Sequence, residues 1–280
     1  ASGKNITSTI TTADANMGIL TLAGGIQTVT GQVGNGNKLA EVNAGNGTST
    51  FANDVYATNL DVEGTGTVNL DGNFTGTAIR YNSDGTVVVA DTKNIDSAIT
   101  NNTGTDSQGT LTLSGSSSVT GQVGASGASL KAINAGATGS TSTFNSDVYV
   151  TNLNMTSSGT VILNSDLTGN VVTTGNQGIL TTTGATQTIT GDIGSLTSSL
   201  NTLNIGSDTV LGNYSTTTIN GNVFANSTVL NNGATNSSEL ILASGKNITS
   251  TITTADANMG ILTLAGGTQT VTGTVGGVGA

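Results

Sequence analysis

This 280-residue chain contains no cysteine, proline, tryptophan or histidine, and each omission removes a class of explanation. Without Cys there are no disulfides and no thiolate chemistry; without His the commonest transition-metal ligand is gone. Without Pro, no strand position is barred from giving its N–H to a neighbour. Charge and aromatic content are also low, at 8% and 3% of residues. The six cations (Lys4, Lys38, Arg80, Lys93, Lys131, Lys246) are scattered against 16 acids, for a formal charge of −10. Phosphate neutralisation needs clustered Lys and Arg, so this pattern argues against nucleic acid as a partner. No run approaches the roughly 18–20 apolar residues of a membrane span. Nor does Ala1 open a basic stretch followed by an apolar core, so any export signal or anchor is expected outside this segment of a longer array.

What the chain does have is Gly, at 41 positions, with much Thr, Asn and Ser, and 34% apolar residues. Disorder is the first reading of such a composition, and the apolar pattern rejects it. Short alternations recur along the whole length, as in GILTL at Gly18, TVNL at Thr67 and TVVVA at Thr86. They are rich in Val, Ile, Leu and Thr, which suit strands, and helical periodicity is absent. Turn dipeptides separate them: Asn35-Gly36, Asn46-Gly47, Asp71-Gly72, Asp84-Gly85, Asn220-Gly221 and Asn232-Gly233. Asn and Gly at such corners are expected to supply positive φ, and stacked Asn side chains to satisfy corner amides.

The strand pattern is repetitive. ASGKNITSTITTADANMGILTLAGG at Ala1–Gly25 returns unchanged at Ala243–Gly267. Within that 242-residue period, GILTLAGGIQTVTGQVG at Gly18 is answered by GTLTLSGSSSVTGQVG at Gly109, GILTTTGATQTITGDIG at Gly178 and GILTLAGGTQTVTGTVG at Gly260. TFANDVYATNL at Thr50 likewise matches TFNSDVYVTNL at Thr143, and GTVVVADTKNIDSAI at Gly85 matches SELILASGKNITSTI at Ser238. Subrepeats of unequal length fit poorly with a closed propeller, whose blades must be equivalent, and well with an open solenoid, in which each turn touches only its neighbours. The fold expected is therefore all-β, a right-handed parallel β-helix (β-solenoid) built from tandem repeats and continuous over residues 1–280. Its subrepeats run over 18–108, 109–177 and 178–259, with 260–280 beginning the next long repeat. Turns of roughly 17–25 residues would give about 13–16 rungs at ~4.8 Å each, on the order of 65–75 Å in all.

The structural repeat positions predicted to stack are Leu20, Val29, Tyr56, Val68, Ile95, Leu111, Tyr149, Val161, Ile189, Phe224 and Ile248. In the DVY motif, Asp54 and Asp147 precede Tyr56 and Tyr149, while the third copy has Asn222 and Phe224. Charge and phenol are both dispensable there, so a turn acceptor and a buried ring account for the motif. Asp61 and Glu63 would share one strand face, as paired carboxylates of a polysaccharide-cleaving enzyme do; the aligned Asn154 and Thr156 favour a solvated face instead. Lys4, Lys93 and Lys246 in KNI read as outward cations that discourage edge pairing. No catalytic residue and no cofactor are predicted. Calcium is the one ion the acids suit, with Asp54, Asp147, Asp166 and Asp192 as its ligands if it binds. The calcium-roll motif GGxGxD is absent.

GILTLAGGTQTVTGTVG, KNIT, STF…DVY and GTVNLDGN…TGTAI together resemble the repeats in passenger regions of bacterial autotransporters, particularly the rickettsial surface cell antigens and related giant alphaproteobacterial repeat proteins. The resemblance implies a secreted β-helix displayed at the cell surface, exported through an outer-membrane barrel absent from this sequence, and often used in adhesion. It brings no catalytic residues. Three functions are open at this point. The first is a structural and adhesive stalk or filament whose partners are neighbouring copies of the repeat and a host or neighbouring cell surface. The second is a calcium-dependent surface-layer lattice, and the third a polysaccharide-active β-helix enzyme.

Overall fold

A computed structural model describes residues 3–207, 214–232, 236–256 and 259–278. Every regular element among them is a strand, and every pairing between strands is parallel, so the chain is a β-solenoid. It divides into two compact units, residues 1–134 with 149–151, and residues 135–148 with 152–280.

In the first unit each turn visits three faces. Strand Thr48–Phe51 stacks on Thr67–Leu70, then Thr86–Val89, then Thr110–Leu113, which forms one face. Val55, Phe74, Ile95 and Val119 form the second, and Leu60, Ile79 and Ile99 the third. The last two faces come from single long strands such as Phe74–Tyr81, whose register breaks between Thr75 and Ala78 as the strand rounds a corner. Four-residue strands repeatedly show the burial pattern half-buried, buried, half-buried, buried, the period of two expected where one face packs inward. Their inward residues fill the interior, with Phe51, Phe74, Phe144 and Tyr81 among the largest fully buried side chains. The second unit stacks Thr141–Phe144 on Thr160–Leu163, Ile179–Thr182 and Leu200–Ile205 in the same way.

The unequal subrepeats have a geometric meaning. In the first unit Leu20 of GILTL lies on the face of Val42, Leu60, Ile79 and Ile99, whereas Leu111 of the next copy lies on that of Val68 and Val87. In the second unit Leu180 shares a face with Leu203, Thr228 and Ile252, whereas Leu262 stacks on Leu240, Thr217 and Gln187. Each of these subrepeats is thus a whole number of turns plus one face. A motif that alternates inward and outward works equally well on any face.

Three expectations need correction. Turns run from 18 to 30 residues, and there are about 11 of them rather than 13–16. The residues of DVY that fill the interior are Val55, Val148 and the matching Val223, while the rings of Tyr56, Tyr149 and Phe224 lie half-buried on the outside. Strand alternation forces this, because adjacent residues point to opposite faces. Of the predicted repeat positions, Val29, Val68, Ile95, Leu111, Val161, Ile189 and Ile248 are fully buried, and Leu20, in the first turn, is half-buried. Finally, of the predicted corner glycines only Gly36 has positive φ; Gly47, Gly72, Gly85 and Gly221 do not, and Gly233 lies outside the described residues. At those four the chain passes directly over the previous turn, so a Cβ on Gly221 would sit 2.0 Å from the Gly191 carbonyl oxygen, and one on Gly47 2.3 Å from that of Gly25. Positive φ is instead used by the first glycine of each motif copy: Gly18, Gly109, Gly178 and Gly260.

Candidate functional site

Asn and Asp side chains at the corners do the polar work. In the second unit Asn170 Oδ1 accepts from the Asp192 amide (3.0 Å), Asp192 Oδ1 from that of Asn222 (2.7 Å), Asn222 Oδ1 from that of Asn247 (3.1 Å) and Asn247 Oδ1 from that of Thr270 (2.8 Å). A matching staircase in the first unit runs from Asp54 through Asn73 and Asn94 to Ser118, with amide-to-oxygen distances of 2.8, 2.9 and 2.8 Å. A shorter one joins Asp147, Asp166 and Thr188. Where the corner is Gly-Asx, as at Gly72-Asn73, Gly191-Asp192 and Gly221-Asn222, glycine lets two backbones touch and the next side chain caps an amide one turn further on; Asp54, Asn94, Asp147, Asp166 and Asn247 cap in the same way without a glycine before them.

All four calcium candidates, Asp54, Asp147, Asp166 and Asp192, are steps of these staircases, each with Oδ1 on a backbone amide. Asn serves as well as Asp there, since one carbonyl oxygen is all the corner uses. Replacing Asp192 by Asn should leave the thermal midpoint unchanged, and Asp192→Ala should cost about 1 kcal/mol through the uncapped Asn222 amide. In a melting series with and without calcium, a calcium shift lost in Asp192→Asn would contradict this assignment. Among the described residues no three His, Cys, Asp or Glu side chains come together as a metal site.

The suggested carboxylate pair is also engaged separately. Asp61 is buried and takes two hydrogen bonds from Arg80, through Nε and Nη2, while Arg80 Nη2 reaches Glu41 Oε2 at 3.2 Å. The Asp61 hydrogen bond holds the Arg80 guanidinium in its charged form above its usual range, against the opposing pull of burial. Glu63 is exposed and accepts from Asn82 Nδ2 at 2.9 Å. A second ion pair, Lys131 Nζ to Asp84 Oδ2 at 2.8 Å, pulls the Asp84 carboxyl below the carboxylate range, aided by the Gly109 amide. The hydroxyl and amide of Ser129 lower Asp106 likewise. Burial pushes the Tyr81 phenol far up; its hydroxyl donates to the Thr110 carbonyl at 2.6 Å. Lys4 is exposed, and Lys93 and Lys246 are half-exposed.

Two polar features were missed in the sequence. Gln27, Gln187 and Gln269 each turn Oε1 to a glycine amide three residues back and Nε2 to a carbonyl of the turn before, stapling a corner from within. Their repetition at one place in QT[VI]TG was the available signal. The interior of the second unit also holds a hydroxyl chain, with Ser215 and Thr217 at 2.9 Å, Thr217 and Thr182 at 2.8 Å, and Ser215 donating to the Gly184 carbonyl at 2.7 Å. On the outside of that unit a groove of about 400 Å³ is lined by residues including Thr141, Thr160, Thr181, Asn204, Ser207 and Asn231. None of its described lining residues is charged, so it offers no general acid, base or carboxylate nucleophile.

The chain is 33% identical, over 280 residues, to a protein named Outer membrane protein A from Rickettsia rickettsii. The match covers 95% of the chain and 11% of that protein, so the chain spans about a tenth of its relative's length. No family model matches the chain. No solved structure matches it either.

Proposed function

We propose that this chain is a non-catalytic extracellular segment with a structural and adhesive role, part of a repeated β-solenoid stalk or filament displayed on a bacterial cell surface. The observation that carries the reading is the use made of the polar residues: the acids and amides at the corners hold one turn to the next, and what repeats from subrepeat to subrepeat is stacking geometry. Similarity to a rickettsial protein named for the outer membrane supports the surface location. The partners proposed are further copies of the repeat and a host or neighbouring cell surface.

Electron microscopy of the protein from its source, with and without a calcium chelator, tests this. The expected result is thin fibres indifferent to chelation, with an axial repeat on the order of 45–55 Å, the rise of a 242-residue period at ~4.8 Å per turn. Two-dimensional sheets that dissolve on chelation would overturn it in favour of a calcium-held surface lattice.

A further inference from the structure

Three of the Asn-Gly pairs, at Asn35, Asn46 and Asn220, lie wholly among the described residues, and each exposes its Asn to solvent. They differ in what holds the glycine. Gly221 is buried, and a Cβ on it would meet the Gly191 carbonyl oxygen at 2.0 Å. The residues on either side are tied down as well, Asn220 N to Ile189 O at 2.8 Å and Asn222 N to Asp192 Oδ1 at 2.7 Å. Gly47 is half-buried; its carbonyl accepts from Thr67 N at 2.8 Å, and Thr48 N donates to Gly25 O at 2.9 Å. Gly36 is exposed, with nothing within 4 Å of an added Cβ. Among the described residues neither Asn35 nor Gly36 makes a hydrogen bond, although the corner is anchored on both sides, by Gly34 N to Ile10 O at 2.7 Å and Asn37 Nδ2 to Ala13 O at 2.8 Å.

The same corner recurs within each unit and is closed there. Gly124 and Gly194 stand where Gly34 does, each with positive φ and each donating to the preceding turn, at Ile99 O (2.8 Å) and Val171 O (2.9 Å). Their corners then shut with a reciprocal backbone pair, Ala125 with Ala128 at 3.1 and 3.0 Å, and Ser195 with Ser198 at 2.9 and 3.2 Å. From Gly34 to Leu39 the chain is one residue shorter than from Gly124 to Leu130 or Gly194 to Leu200, and among the described residues no such pair forms. The tips at Ser126 and Leu196 are exposed like Asn35, so exposure belongs to the corner itself.

We infer that Asn35 is a site of self-modification, in which the folded corner leaves it free to deamidate while the other two pairs are protected. The Gly36 amide nitrogen, giving up its proton, attacks Asn35 Cγ; the new C–N bond closes a succinimide and the side-chain nitrogen leaves as ammonia. Water then opens the ring at either carbonyl, leaving an aspartyl or isoaspartyl residue, so the net change is one water consumed and one ammonia released. Attack needs the nitrogen to approach Cγ to about 3 Å, which only a backbone free to turn allows. Glycine supplies that freedom, and having no Cβ it leaves the nitrogen unshielded. At Gly47 and Gly221 the same approach requires the turn-to-turn hydrogen bonds to break first. The product adds a negative charge to a chain already at −10, at a corner with room for it.

Ageing the full chain in mildly alkaline buffer, folded and in urea, and following each Asn by peptide mass mapping tests this. In the folded protein Asn35 should convert at least about tenfold faster than Asn46 or Asn220, whose corners must open before they react. In urea the three rates should converge. Gly36→Ala, which leaves the fold in place, should slow conversion at Asn35 by about tenfold by shielding the attacking nitrogen. Equal rates at the three sites in the folded chain would overturn the inference. So would an aspartyl product without its isoaspartyl partner, since that marks direct hydrolysis of the side chain.

Discussion

Gly221→Ala should lower the melting temperature, followed by the circular dichroism of the strands, by about 6–12 °C, the consequence of a loss of about 3 kcal/mol or more. The cause is contact rather than torsion. Gly221 does not have positive φ, but its missing Cβ would lie 2.0 Å from the Gly191 carbonyl oxygen and 2.3 Å from the carbonyl carbon. The obstruction is backbone, held by the same close approach one turn earlier, where a Cβ on Gly191 would meet the Gly169 carbonyl oxygen at 2.2 Å. Relief requires the turns to separate, which would stretch the Asp192-to-Asn222 hydrogen bond beside it. Gly36→Ala is the contrasting case: φ is +82° with nothing within 4 Å of the added carbon. Its cost should stay at about 1–2 kcal/mol, the torsional penalty of a left-handed residue. Equal effects from the two substitutions would show that corner glycines serve torsion after all.

Arg80→Ala should be the most damaging loss of a charged side chain, at about 2–4 kcal/mol, because it leaves a buried carboxylate without its partner. Asp61 has 4% of its side chain accessible, against 29% for Arg80 and for Glu41, so Asp61 bears most of the desolvation. Replacing both members, as Asp61→Asn with Arg80→Leu, removes the buried charge together with its counter-charge and should recover most of the stability. The aligned Asn154 shows that the repeat accepts an uncharged residue at the Asp61 position. Urea midpoints for the two single variants and the double variant close a thermodynamic cycle. A double variant as unstable as Arg80→Ala would mean that the arginine matters for its packed stem and not for its charge.

Strand identity and the solenoid itself were legible in the sequence because they depend on local alternation and self-similarity. Val29, Val68, Val161 and Ile248 could be placed inside from the period of two alone. The period also placed Val55 inside and Tyr56 outside, and a preference for burying rings misled at that point. Ring size set no direction; the neighbouring valine had already taken the inward position. The corners were harder. Asn220-Gly221 reads as a turn dipeptide, yet the functional pair is Gly221-Asn222, one residue later, because the partner of each is a residue 30 positions back.

The sequence by itself determined the class of fold and its repeating logic, since composition and period are properties of single residues and their near neighbours. Only the tertiary structure decided what the acids do, which glycines must be glycine and which face each motif occupies. Those depend on which residue lies one turn below, and with turns that vary from 18 to 30 residues no fixed spacing along the chain identifies it.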